Sequence, residues 1–216
     1  MADRPATRLR HGTVEPMLAR QVDALPARAS DRRLFFEPKY DGFRTLTGIN
    51  RDGAVDLYSR RGNSLTRGFP EVVAAVVAHL PGDTIIDGEL ICWRDGRLDF
   101  GGVQRRNGVG GELAGQLAAT EPCHLIAFDV LQAAGQVLID RPLSERRVEL
   151  EALFADVPAA SPLHLGMQTD DLATARAWFD SLAAVGVEGL VIKRTSVHSG
   201  RCVLGRAVGQ LGISLP

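Results

Sequence analysis

Glu37-Pro38-Lys39-Tyr40-Asp41-Gly42-Phe43-Arg44 is the stretch that decides how the rest of this chain is understood. Lys39 is one of only two lysines among 25 lysines and arginines; the other, Lys193, closes Glu188-Gly189-Leu190-Val191-Ile192-Lys193. Arginine keeps its proton at any working pH, whereas lysine can shed it and act as a nucleophile. Asp41-Gly42 is turn chemistry that would swing the preceding amine toward a pocket. Lys39 is therefore the first candidate for covalent chemistry.

On the N-terminal side of this stretch, residues 34–37 form a short apolar strand ending at Pro38. Residues 43–49 alternate as a strand, Asn50-Arg51-Asp52-Gly53 supplies a turn, and residues 54–59 return as the hairpin partner. Phe69, Val72, Val73, Val76, Val77 and Leu80 share one helical face, with Pro70 near its start and Pro81-Gly82 at its end. Residues 84–93 predict a strand interrupted by Asp87-Gly88-Glu89, and Arg94-Asp95-Gly96 a turn into a short segment, 98–100. Residues 124–131 and 137–139 flank Ala134-Gly135 as a second hairpin. Ser144 is placed to cap a helix running to about Phe154, and 171–185 predicts another, stopped by Gly186. Residues 190–193 form the last strand. Hairpins interspersed with helices imply an α+β fold of mainly antiparallel sheets, not a Rossmann-type parallel sheet. With no GxGxxG and no P-loop lysine, a nucleotide must be held another way.

The bulk properties set wide bounds. A chain of 216 residues with 45% hydrophobic and 24% charged content suits one substantial soluble core. The formal charge of −1 hides a locally basic first half that includes Arg60, Arg61, Arg67, Arg105 and Arg106. A polyanion reads such a patch, not the sum. Cys92, Cys123 and Cys202 are far apart and odd in number, which predicts separate small core residues in a reducing compartment. The five histidines show no metal spacing, and Trp93 and Trp178 read as packing. No apolar run spans a membrane and none follows the N-terminal arginines, so the expectation is a cytoplasmic protein without a membrane partner.

Polar clusters punctuate the strand ends: Lys39/Asp41/Arg44, Ser59/Arg60, Asp87/Glu89 and Glu188/Lys193, with Phe128-Asp129 between the last two. An amine, separated carboxylates and several cations suit a nucleoside triphosphate with a divalent metal. Lys39-Tyr40-Asp41-Gly42-Phe43-Arg44 resembles the KxDGxR motif of covalent nucleotidyltransferases, the DNA ligases, RNA ligases and mRNA capping enzymes. Ser59-Arg60-Arg61-Gly62 with Phe69-Pro70-Glu71, Asp87-Gly88-Glu89-Leu90, Phe128-Asp129-Val130-Leu131 and Glu188 to Lys193 follow in the family's order. Glu15-Pro16-Met17-Leu18-Ala19 and Leu98-Asp99-Phe100 with Gln104-Arg105-Arg106 narrow the resemblance to bacterial ATP-dependent DNA ligases of the end-joining type.

The resemblance implies a nucleotidyltransferase (ATP-grasp-like) fold, two mainly antiparallel sheets with flanking helices around an ATP cleft. It implies that Lys39 attacks the α-phosphorus of ATP and carries AMP. Glu37 would meet the adenine edge, Phe128 its face, and Arg44 and Glu89 the ribose. Lys193 would lie near the phosphates, and Glu89 and Glu188 would hold Mg²⁺. Arg60 would meet the 5′-phosphate of nicked double-stranded DNA, the partner in repair. The chemistry needs Lys39 as the free amine, a form favoured by Arg44, Lys193 and a bound metal nearby.

On the same comparison, residues 1–33 form an extended lead-in, 34–194 the adenylation domain and 195–216 a divergent or truncated tail. No lysine follows Lys193, so the family's WxKxK-like strand has no counterpart, and the OB-fold domain is expected from a separate chain or domain. Two other readings stay open: a catalytically impaired ATP- and DNA-binding remnant, and an RNA ligase or capping-type nucleotidyltransferase.

Overall fold

The computed structural model describes residues 34–195, Leu25, and the backbone of two further strands, 19–22 and 205–209. In chain order, β1 (Ala19–Val22) and β2 (Leu34–Pro38) precede the hairpin of β3 (Phe43–Ile49) and β4 (Val55–Ser59). After α1 (Pro70–His79), β5 (Thr84–Arg94) turns into β6 (Arg97–Leu98), and α2 (Phe100–Arg106) and α3 (Gly111–Thr120) lead to β7 (Cys123–Ala133). There follow β8 (Gln136–Val137), α4 (Leu143–Phe154), β9 (Leu163–Leu165), α5 (Leu172–Ser181), β10 (Gly189–Arg194) and β11 (Gly205–Gly209).

These strands make two sheets. The first has the order β1-β11-β10-β2 and the second β4-β3-β5-β7-β8, with β6 on β5 and β9 on β7. Pairing is antiparallel except for β1 with β11 and β7 with β9. The antiparallel α+β architecture expected from the hairpin pattern is the one formed. β1 and β11 arise from stretches read as lead-in and tail. Strand β10 has both edges paired as a result, with β2 on one side and β11 on the other.

Each sheet has its own core. Phe69, Val72 and Val76 pack with Ile86 and Leu90 of β5 and Leu125, Ala127 and Val130 of β7. Phe36, Leu190 and Ile192 of the first sheet pack with Leu172 and Ala175 of α5, with Trp178 against them. The stretch Lys39–Gly42 is the crossing from β2 in one sheet to β3 in the other. This crossing puts the decisive motif at the junction of two cores.

Several expectations are corrected. Strand β5 runs unbroken through Asp87-Gly88-Glu89; the irregularity is a shift of its register with β7 between Asp87 and Gly88. Residues 100–120, for which the pattern predicts nothing, contain α2 and α3, where glycines weaken the helical signal and burial of Val103 and Ala114 supplies what propensity lacks. Ser144 does not cap α4: the helix starts at Leu143 after Pro142, and the Ser144 N–H donates to the Thr195 carbonyl at 3.1 Å. Asp171 caps α5 through its carboxylate, but the α-helix ends at Ser181 and tightens into a 3₁₀ turn before Gly186, at φ 91°. Trp93 is 47% exposed and is not a packing residue. Cys92 and Cys123 are opposite one another on β5 and β7 and joined in a disulfide. That pairing removes the argument from unpaired cysteines for a reducing compartment; Cys202 lies outside the described residues.

Candidate active site

Backbone hydrogen bonds position Lys39 before its side chain is considered. Its N–H donates to the Gly189 carbonyl at 2.8 Å, and the Glu188 N–H donates to the Lys39 carbonyl at 2.9 Å. This lacing continues the β2–β10 ladder by one step and sets Lys39 beside Glu188. The ammonium and carboxylate form an ion pair, with side chains 39% and 44% exposed, so the pair is open to a substrate. Gly42 makes the crossing possible, because a Cβ there would stand 2.1 Å from the Leu90 carbonyl oxygen on β5. Burial pushes the Tyr40 phenol up to about 12, against an opposing backbone hydrogen bond from Met167, so it stays protonated.

Register builds the neighbouring cluster. Glu37 pairs with Val191 and Phe35 with Lys193, so Glu37 and Lys193 are diagonal neighbours on one face of the sheet. Lys193 Nζ lies 2.6 Å from Glu37 Oε2 and 4.6 Å from the centroid of the Phe128 ring. Arg44 covers the same ring at 5.4 Å. Two cations thus lie over one aromatic ring, an arrangement its quadrupole favours. The other Glu37 oxygen accepts from Gln168 Nε2 at 2.7 Å.

Arg44 is held in turn by Asp87, in a bidentate pair at 3.0 and 2.6 Å. Burial works against its charge, but Asp87, Glu89 and Asp129 outweigh this and hold its pKa above the ordinary guanidinium value. Glu89 is the β5 partner of Arg44. Burial pushes its carboxyl up to about 8; Arg44 and Lys39 oppose the shift, and Asp87 and Asp41 add to it. Burial therefore favours the protonated form of Glu89 in the free protein, and a bound cation would favour its carboxylate.

The structure brings Glu37, Phe128 and Lys193 into one cluster, links it through Arg44 to Glu89, and sets Lys39 beside Glu188. Lys193, expected on the phosphate side, is placed against Glu37 and Phe128, because its position on β10 faces β2. Arg60 follows β4, is exposed and makes no ion pair with any described residue. Among the described residues no group of three or more His, Cys, Asp or Glu side chains converges as a metal cage. Mg²⁺ does not require one: it takes one or two carboxylates and fills its shell with water and phosphate oxygens. Glu89 and Glu188, hard oxygen donors near Lys39, fit that requirement.

Two further arginines have structural roles that the sequence did not assign. Arg146 of α4, fully buried, grips Asp129 at 2.8 and 2.7 Å, fixing the residue beside Phe128. Arg106 of α2, 2% exposed, grips Glu71 at 3.0 and 2.8 Å and the Gly68 carbonyl at 2.8 Å. Both sit in Arg-Arg pairs that look like solvated surface, so no local signal shows that they are buried.

Comparison with known proteins agrees with this geometry. The model of the ATP dependent DNA ligase domain matches residues 16–199. The chain belongs to the ATP-dependent DNA ligase family. It is 40% identical over 181 residues to DNA ligase C2 of Mycolicibacterium smegmatis, covering 83% of this chain and 49% of that one. It is also 40% identical over 183 residues to DNA ligase C of Mycobacterium tuberculosis, with the same two coverages. The chain thus spans about half the length of these relatives. Among solved structures, a mycobacterial DNA ligase D complexed with ATP and MES superposes with a TM-score of 0.72 at 27% identity, covering 94% of this chain and 62% of that one. The ligase domain of Mycobacterium tuberculosis LigD gives 0.71 at 27% identity, covering 92% and 60%. The fold of this ligase-family chain is accordingly that of the family's nucleotidyltransferase (adenylation) domain.

Proposed function

We propose that this domain adenylates itself on Lys39 as the first step of sealing nicks in double-stranded DNA during repair. The observation that carries this reading is the position of Lys39: on the crossing between sheets, against Glu188 and beside the cluster of Glu37, Phe128, Lys193 and Arg44. The Lys39 amine, freed of its proton, bonds to the α-phosphorus of ATP; the bond from that phosphorus to the bridging oxygen breaks, and pyrophosphate leaves. Phe128 offers a face for the adenine and Glu37 an acceptor for its edge. Arg44 and Glu89 face the ribose. Lys193, paired with Glu37 beside the Phe128 ring, adds positive charge to the nucleotide cleft. Glu89 and Glu188 would hold Mg²⁺, which supplies charge neutralisation at the triphosphate when bound.

The exposed guanidinium of Arg60 suits bidentate contact with the 5′-phosphate of a nick. The adenylate then passes to that phosphate, and the neighbouring 3′-OH displaces AMP. Residues 34–194 form the catalytic unit of this scheme, and sealing draws on an OB-fold supplied by another segment or chain. A cytoplasmic setting follows from the ATP and DNA it uses. No helix among the described residues is long and apolar enough to cross a membrane.

The test is incubation of the whole chain with α-labelled ATP and Mg²⁺. Label on the protein, absent in K39A, supports the reading; no label at any pH rejects it. ATP binding without label would identify a binding remnant, and preference for GTP would point to capping-type chemistry. Binding to nicked DNA should weaken steeply with salt and lose part of that slope in R60A.

A further inference from the structure

We propose that Gln168 is a positioning residue that makes the base subsite select adenine over guanine, by fixing the Glu37 carboxylate as a pure hydrogen-bond acceptor. The proposal rests on reading Glu37 as the group that meets the base edge. Gln168 lies 131 residues from Glu37 in sequence, and its Nε2 donates to Glu37 Oε1 at 2.7 Å. A carboxylate accepts only, so the amide nitrogen must be the atom that faces it.

The segment carrying Gln168 is tied to both walls of the cleft. The Gly166 N–H donates to the Ala127 carbonyl at 2.7 Å, one residue before Phe128. Thr169 and Phe36 exchange two backbone hydrogen bonds at 2.8 and 3.0 Å, one residue before Glu37. Arg147 Nη1 holds the Gly166 carbonyl at 2.9 Å. A Cβ at position 166 would stand 2.9 Å from the Ala127 oxygen and 3.5 Å from the Phe128 Cβ, so the segment lies directly against the strand that bears the aromatic ring. Gln168 is therefore delivered by a braced segment.

The consequence is chemical. Glu37 is 4% exposed, and its oxygens take one donor each, from Gln168 and Lys193. Each oxygen keeps a lone pair for one more donor. Adenine presents an amine at its exocyclic position and supplies that donor; guanine presents a carbonyl there and leaves two acceptors facing each other. A site built to pair with a donor rejects the analogue that lacks it, because its own buried groups go unpaired. Without Gln168 the carboxylate is free to rotate onto Lys193 alone, and the aim of its lone pairs is lost.

The test measures equilibrium binding of ATP and of GTP to the whole chain in the K39A background, so that no covalent step intervenes. Adding Q168A should lower ATP affinity about tenfold while leaving GTP affinity unchanged, reducing the preference for ATP about tenfold. Q168E, of the same shape but facing Glu37 with an acceptor, should reduce it further. M167A, an exposed neighbour in the same segment, should keep the preference and so report that the segment is intact. An equal loss for both nucleotides in Q168A, or an unchanged ratio, overturns the proposal, as does K39A showing no preference for ATP. Preference lost in Q168A, with the unmutated chain taking no label from ATP, would support the role of Gln168 and reject adenylation of Lys39.

Discussion

Lys193 Nζ lies 2.6 Å from the Glu37 carboxylate, and both side chains are largely withdrawn from solvent, 14% and 5% exposed. Such a pair contributes little net stability while intact, because the Coulombic gain offsets the cost of desolvating both ions. Losing one partner is a different matter. K193A should cost about 3 kcal/mol, read as a lower urea midpoint, since the buried Glu37 charge would keep only the neutral Gln168 among the described residues as a side-chain donor. E37Q/K193M should recover most of that stability without recovering ATP binding. Separate recovery of the two properties would show that the pair serves the nucleotide more than the fold.

Gly42 is set by space. G42A would force a methyl group into the Leu90 carbonyl, 2.1 Å away, and the crossing that carries Lys39 would have to shift. Overpacking of this kind costs about 1–3 kcal/mol. A displacement near 1 Å at a nucleophile slows chemistry on the order of 100-fold. The labelling rate at saturating ATP should therefore fall much further in G42A than thermal stability does.

Arg146 and Asp129 are a buried ion pair with bidentate geometry. R146A should lower the unfolding free energy by about 3–5 kcal/mol, because Asp129 would stay buried after losing its bidentate partner. Urea denaturation checks this. A matched apolar replacement, D129L/R146M, should regain a large part of the loss. If R146A proves as stable as the original chain, the pair is not the strut between α4 and β7.

His124 Nδ1 and His164 Nε2 are 3.0 Å apart across β7 and β9. Burial holds both imidazoles below their ordinary value; Glu71 opposes the shift at His124, and the His124 charge adds to it at His164. The folded state thus binds fewer protons than the unfolded state near the free-histidine value of ~6.5. The contribution to stability is complete above that value and is lost as pH falls through the lowered folded values. The urea midpoint should drop between pH 7.5 and 5, and H124Q/H164Q should flatten that slope. An equally steep slope in the double variant would assign it to other groups.

Much of the site was legible in the chain because covalent chemistry constrains short stretches. Lys39 with Asp41 and Gly42, the Asp87-Gly88-Glu89 run and Glu188 to Lys193 each combine a reactive group with the local backbone that presents it. The alternation of residues 43–49 announces β3, and the turns at Asn50–Gly53 and Ala134-Gly135 announce the strands beside them. Tertiary structure alone decided the partners. Whether Lys193 faces phosphate or Glu37 depends on the register of β10 with β2, and a one-residue slip would turn it to the other face. Cys92 meets Cys123, Arg146 meets Asp129 and Gln168 meets Glu37 only when strands and helices far apart in sequence are packed together. The sequence therefore marked the candidate groups and the elements on which they ride. Packing two separate cores against one crossing decided what each group touches, because side-chain contacts across a cleft have no local energy to betray them.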